Sequence, residues 1–202
     1  MAMISRIQPM RADASAKLRQ MRQEREEARN NKHSRAVVFQ ARQSALAFFP
    51  TPNPLAREVA EEADVSGLRV LEPEAGSGHL AMACREAGAA DVVCVELYRP
   101  LADLLASKQF PVTCGDFLTI PPATLGTFDR VVMNPPFDRG ADIQHVWHAM
   151  KFLKPGGRLV AIIAAGPRQR EAFAEYAWRD LPEGSFSSQG TNVRTALITI
   201  TQ

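Results

Sequence analysis

No run of apolar residues in this 202-residue sequence is long enough to span a bilayer. The opening residues, MAMISRIQPM, lack the apolar stretch of a secretory signal. Cysteine is scarce: Cys84, Cys94 and Cys114 stand far apart, without metal-ligand spacing, each in an apolar stretch. Buried free thiols in a reducing cytoplasm are expected, with no disulfide and no metal site. Repeats and low-complexity segments are absent. Two phosphate-binding signatures are also missing around the glycine-rich turn at 76–78. No Gly-Lys-Ser/Thr follows it, which excludes a P-loop. The third glycine of a dinucleotide fingerprint is replaced near Ala81 and Met82.

What is present suits one globular domain with an appendage: 46% hydrophobic residues and 23% charged. The net charge of +2 hides an asymmetry. Residues 1–42 hold ten Lys and Arg against four Asp and Glu, and the remainder 14 against 18. We therefore expect a basic helical arm over 1–47 and a separate domain over 48–202. Residues 11–32 contain neither Pro nor Gly and favour helix, with only Leu18 and Met21 as larger apolar members. Such a helix is solvated, or serves as a phosphate-contacting arm through Arg19, Arg22, Arg25 and Arg29 on one face. Glu24, Glu26 and Glu27 dilute that field and are placed to pair with the arginines. A second helix is expected over 35–48, packed through Val38, Ala41, Ala45 and Phe48.

After the break FFPTPNP, Asn53 and Pro54 read as N-cap and first position of a helix over Leu55–Glu62. Strands at 69–72, 91–96, 112–114 and 131–133 then alternate with helices at 79–87 and 100–108. A helix at 143–153 follows, ended by the Lys154–Gly157 turn, then a strand at 158–164 and a helix at 169–179. Two strands near 185–188 and 193–201, joined through SSQGTN, close the chain as an antiparallel hairpin. Such alternation implies an α/β protein with a parallel sheet covered by helices on both faces.

Chemistry concentrates where strands end. Val131-Val132-Met133 stops at Asn134-Pro135-Pro136-Phe137. Two prolines remove two backbone donors, and the residue before a proline is held extended. The result is a rigid platform offering an amide oxygen and a bare carbonyl beside an aromatic ring. It can accept two hydrogen bonds from an –NH2 group while the ring stacks on a flat heterocycle. A proline-terminated strand with a core Phe is the plain alternative. Glu72, Pro73, Glu74, Ala75, Gly76, Ser77 and Gly78 form a turn from a strand into a helix, where open α/β sheets bind ligands. Glu96 closes the next strand, able to accept a pair of ribose hydroxyls or to serve as a helix-start acid. Asp116 closes the third.

This order of motifs resembles the S-adenosylmethionine-dependent amino-methyltransferases, especially the small N6-adenine DNA methyltransferases, over roughly residues 48–201. The resemblance implies a class I, Rossmann-like sheet of seven strands with the last antiparallel. It implies S-adenosyl-L-methionine as cofactor, cradled by Thr51 and Pro52 and held at the turn by Glu72, Pro73, Ala75, Gly76 and Gly78. Glu72 would face the cationic amino-acid end, Glu96 the ribose, and Leu97 and Asp116 the adenine. Phe117 is a core residue or an adenine wall, the wall being preferred. Asn134, Pro135, Pro136 and Phe137 become the catalytic platform for a flipped-out base. Glu74 departs from the family, which has a small polar residue there. DNA is the implied partner, for a monomer or homodimer, although the chain leaves no room for a separate target-recognition domain. RNA adenine methylation is the second reading and protein-glutamine methylation the third; a non-catalytic cofactor-binding protein is the rival. His145 and His148 read as surface or packing residues, Arg139 as solvated or phosphate-facing. Ser188, Thr191 and Asn192 are candidates for the pocket rim.

Overall fold

The computed structural model describes residues 20–32, 35 and 49–202. The chain divides into two units, Met1–Gln40 and Ala41–Gln202, a boundary slightly earlier than the sequence pattern suggests. In the first unit, residues 20–32 form a helix (α1) with exposed side chains. Gln20 and Gln23 donate to Glu24 and Glu27 one turn on, at 3.0 and 3.1 Å. Those two glutamates thus take glutamine partners, although arginines lie within the same helix. Arg19 and, apart from Arg35, the helix expected over 35–48 lie outside the described residues.

The second unit carries one seven-stranded sheet in the order β3-β2-β1-β4-β5-β7-β6. The strands are β1 (Arg69–Glu72), β2 (Asp91–Glu96), β3 (Val112–Cys114), β4 (Phe128–Met133), β5 (Leu153–Ala164), β6 (Ala177–Asp180) and β7 (Thr195–Thr201). The first five pair in parallel, and β7 runs antiparallel to both β5 and β6. The helices are α2 (Asn53–Ala63), α3 (His79–Glu86), α4 (Arg99–Ser107), α5 (Pro122–Leu125), α6 (Ala141–Met150) and α7 (Pro167–Ala172). This is the class I methyltransferase fold.

A period of two sorts the strand residues between two cores. Val70, Val92, Cys94, Val132, Val160 and Ile162 pack with α2 and α3 on one face. Leu71, Val93, Val95, Val131, Met133, Leu159 and Ala161 pack with α6 on the other. Both faces are covered, which is why these strands read as continuous apolar runs. Cys84 and Cys94 are buried free thiols as expected, whereas Cys114 is exposed. Among the described residues no helix is long and apolar enough to cross a membrane.

Several boundaries differ from the sequence pattern. The helix expected over 169–179 ends at Ala172, and its second half becomes β6. Aromatic Tyr176 and Trp178 pack two residues apart against the core, a strand spacing, and Asp180 anchors both Arg170 and the Trp178 indole. The strand expected at 185–188 is therefore a correction: a 3-10 turn, Ser187–Gln189, lies there in the β6–β7 connection, and the antiparallel partner of β7 is β6. Lys154–Gly157 does not precede β5 but lies inside it. Leu153 already pairs with Phe128, and the register shifts before Arg130 pairs with Arg158. Gly156 sits at φ +73° with its N–H on the Gln202 carbonyl, so the irregularity is stitched to the chain's last residue. At α2 the N-cap is Pro52, whose carbonyl accepts from Ala56, and Asn53 is the first helical residue.

Candidate active site

β1 and β4 are neighbours whose outgoing connections continue on opposite sides, so a crevice opens at their carboxyl ends. A cavity there is bounded by the turn after β1, the ends of β2 and β3, the platform after β4, and the 49–51 segment before α2. Of the fifteen residues expected to act, thirteen line it: Thr51, Glu72, Pro73, Ala75, Gly76, Glu96, Leu97, Asp116, Phe117 and all four of Asn134–Phe137. Pro52 and Gly78 do not; they shape it, as caps of α2 and α3.

The turn is built for close approach. Gly76 and Gly78 have φ of +53° and +83°, and a Cβ at Gly78 would meet Leu105 at 2.8 Å. Its path is fixed by Ala75 N–H on the Val95 carbonyl, 2.9 Å, and by Lys108 Nζ on the Ser77 carbonyl, 2.6 Å. The Glu96 carboxylate then clamps two backbone segments. Oε2 accepts from Gly76 N–H and Oε1 from Tyr98 N–H, each at 2.7 Å. Glu96 thus braces the residue before α4 and the glycine turn together, and it also lines the cavity.

The cavity is strongly acidic. Glu72 is 2% exposed, and burial holds its carboxyl well above the ordinary carboxylate range, against the Ala81 N–H that favours its charged form. Glu74 is raised by burial despite its contact with His145, and Glu96 by burial despite the Tyr98 and Gly76 N–H groups. Glu72 Oε2, Glu74 Oε2 and Ser77 Oγ are buried with no partner. Buried, unpaired carboxylate oxygens fit a cationic ligand. Among the described residues no cluster has the make-up of a metal site.

On the apolar side, Leu97 is 58% exposed at the rim beside Asp116. Asp116 itself caps the next 3-10 turn by accepting from Leu118 N–H at 3.0 Å. Phe117 is 3% exposed, edge-on to His148 and tilted on Phe152, and it also lines the cavity, so it is a core residue with a face on the site.

At the platform, Met133 is fully buried and Asn134 half-buried. Asn134 Nδ2 donates to the Phe49 carbonyl and to Thr51 Oγ1, both at 3.1 Å. Its Oδ1 is buried and has no partner. Phe137 meets the Phe186 ring edge-on, 6.3 Å between centroids, while facing the cavity.

Several lining residues were missed or misread, His79, Phe49 and His145 among them. His79 binds the Thr51 carbonyl through Nδ1 at 2.6 Å; nothing in its sequence surroundings signals that contact. Phe49 acts through its carbonyl, which no side-chain pattern reports. His145, expected at the surface or in packing, lines the cavity with Nδ1 2.6 Å from Glu74 Oε1, because α6 starts directly after the platform. His148 is a packing residue as expected, bonded to the Ile120 carbonyl. Arg139 is 93% exposed beside Asp138. Ser188, Thr191 and Asn192 do not line the cavity; from that connection it is Phe186 that turns inward, behind Phe137.

No family model matches the chain, and no curated protein does. Solved structures do. A protein from Pyrococcus horikoshii, proposed to be an RNA methyltransferase, is 22% identical over 78% of this chain and 86% of its own, with a TM-score of 0.61. The modification subunit of a proposed type I restriction enzyme from Vibrio vulnificus YJ016 is 17% identical over 83% of this chain, TM-score 0.63; 48% of its own length is covered. The 23S rRNA methyltransferase ErmE is 19% identical over 77% and 70% of the two chains, TM-score 0.60. At these identities the likeness is one of fold, and the fold they share with this chain is that of the class I methyltransferases.

Proposed function

We propose that this chain transfers a methyl group from S-adenosylmethionine to an exocyclic amino group, N6 of adenine in nucleic acid, with DNA the first candidate. The observation that carries the reading is the Asn134 amide. Both its hydrogens are spent on Phe49 and Thr51, which turns a buried, unpartnered oxygen toward the cavity beside Phe137. An acceptor held this way is an unmet demand for an N–H donor.

The cofactor supplies an electrophilic methyl group carried on a sulfonium. The cavity residues suit it: Glu72 and Ser77 offer unpartnered oxygens to a polar, cationic end, Glu96 has free lone pairs for hydroxyls, and Leu97 an exposed apolar face for a ring. The platform does the rest. An aromatic amine is a weak nucleophile because its lone pair is delocalised into the ring. Accepting its hydrogens at Asn134 Oδ1 and the Pro135 carbonyl favours a pyramidal nitrogen whose lone pair points at the methyl. Orientation and charge complementarity, without a covalent intermediate, account for rate. Phe137, backed by Phe186, stacks on the extruded base. The nucleic-acid assignment also draws on the similar structures named as RNA or restriction-modification methyltransferases.

Incubation with methyl-labelled cofactor and separate DNA, RNA and protein pools tests the reading. Label in N6-methyladenine is the expected product, in DNA ahead of RNA. Label confined to protein, or none in any pool, would overturn it.

A further inference from the structure

We propose that Glu74 is the acceptor for the proton that the amine must release on methylation, with His145 as the residue that positions it. This inference rests on the amino-methyltransferase reading above. The bond changes require such an acceptor. The methyl carbon leaves sulfur, which keeps the C–S electron pair, and the amine lone pair becomes the new N–C bond. The nitrogen then holds two hydrogens, the methyl group and a positive charge; one of the two hydrogens, held until then by the Asn134 and Pro135 oxygens, has to pass as a proton to Glu74 Oε2 for the neutral product to form.

Two independent features support Glu74 in that role beside the platform. The first is register. β1 and β4 pair with Val70 opposite Arg130 and Leu71 opposite Val131. Continuing that offset past both strand ends puts Glu74 level with Asn134 on the neighbouring strand, and both line the one cavity. The second is the hydrogen-bond pattern. His145 Nδ1 lies 2.6 Å from Glu74 Oε1, reaching across from α6. That contact fixes the carboxyl and leaves Oε2 buried without a partner. One acidic oxygen is thus occupied and its twin is free. Asn134, with both hydrogens spent and its oxygen free, shows the same arrangement one strand away. A carboxylate here also opposes the positive charge that grows on the nitrogen during transfer.

The charged and titratable groups facing Glu74 come from every bordering element: Glu72 on β1, Glu96 on β2, Asp116 after β3, His145 and His148 on α6. Burial raises the Glu74 carboxyl, with Asp116 adding to the rise and the two histidines opposing it. The group must be ionised to accept, so transfer rises with pH through this raised value and levels off above it.

The test uses Glu74→Gln, Glu74→Asp and His145→Gln in the full chain, with single-turnover methylation of an adenine oligonucleotide from pH 5 to 9 and calorimetric titration of S-adenosylmethionine. Glu74→Gln is expected to slow transfer on the order of 10²-fold and to abolish the acid limb of the pH profile, with cofactor affinity within a few-fold of the parent. Glu74→Asp should recover part of the rate and keep the limb. In the cofactor-free chain, nitrogen NMR should report His145 with its proton on Nδ1, and Glu74→Gln should redistribute it. His145→Gln should lower the rate less than Glu74→Gln and retain the limb. A Glu74→Gln rate and pH profile matching the parent would overturn the inference. So would a loss confined to cofactor affinity, which would make Glu74 a cofactor ligand. If the parent methylates no amine in any pool, the underlying reading fails with it; if the parent is active and the glutamine variant is equally so, this inference alone fails.

Discussion

Asn134 reaches back to Thr51, its Nδ2 3.1 Å from the threonine hydroxyl, so the residue that precedes the platform's prolines is oriented by a segment more than eighty positions earlier. The sequence resemblance gives Thr51 to the cofactor; its hydroxyl accepts from the amide and keeps its own O–H to donate. Its carbonyl in turn receives His79 at 2.6 Å. Thr51 thereby ties the platform to the first turn of α3.

Thr51→Val keeps shape and removes this acceptor. The amide retains the Phe49 carbonyl, so the loss is one hydrogen bond, about 1 kcal/mol. We expect methyl transfer to fall roughly fivefold, with cofactor affinity little changed. Single-turnover rates beside a cofactor titration decide the matter: a drop in affinity with an intact rate would return Thr51 to the cofactor.

Glu72 predicts a conflict between stability and binding. Burial raises its pKa above the unfolded value, so the folded chain holds a proton that the unfolded chain gives up. Its contribution to stability is therefore complete below the ordinary carboxylate range and is lost as pH rises through the raised value. Asp129 works the other way. The Lys154 ammonium and the Arg69 N–H hold its carboxyl low, and its contribution fails only in acid. Above about pH 5 Glu72→Gln should thus raise the melting temperature of the cofactor-free protein and flatten its decline with pH, while weakening cofactor binding. Melting curves from pH 5 to 8 that run parallel for parent and variant would show that other groups set the slope.

The basic arm carries a prediction of its own. Residues 20–32 form an exposed helix with Arg22, Arg25, Arg29 and Lys32, and each phosphate such residues neutralise releases counterions. Deleting residues 1–34 should weaken nucleic-acid binding and flatten its dependence on salt. Equal salt slopes for the two forms would give the arm another task.

What the sequence disclosed, and what it hid, follows from the range of each interaction. Val131–Phe137 announces itself locally, since an apolar run ended by two prolines can do little but stop a strand. Glu72, Glu96 and Asp116 follow from alternation, because each closes a strand of the same parallel sheet. The hidden part depends on pairs. His145 lies 71 positions from Glu74 and is made functional by α6 starting against the platform, which no local pattern encodes. Phe49 contributes a carbonyl, and every residue has one. At 177–180 local preference misled: EAFAEYAWR has helix-forming composition, yet pairing with β7 and packing of Tyr176 and Trp178 override it.

The platform provides the sharpest test, because its two halves do different work. Asn134→Ala deletes the free oxygen and the two bonds that hold it, leaving the Pro135 carbonyl and the glycine turn in place. One acceptor then remains for the amine, and the lone pair is no longer steered. Removing one preorganised polar contact of this kind lowers rate by about 10²–10³. Phe137→Ala instead removes a stacking surface worth roughly 1–3 kcal/mol for an unstacked base. It also uncovers Phe186, against whose ring it packs, so some stability goes with it. Phe137→Trp keeps a stacking face and Phe137→Leu keeps only bulk; Trp should retain more capture of the base than Leu. Neither the Asn134 nor the Phe137 change should much alter cofactor affinity, which the proposed reading assigns to the turn and Glu96. Single-turnover methylation and cofactor titration across all four variants separate the contributions. An Asn134→Ala protein that methylates adenine at the parental rate would remove the amino-methyltransferase assignment while leaving the fold as it stands.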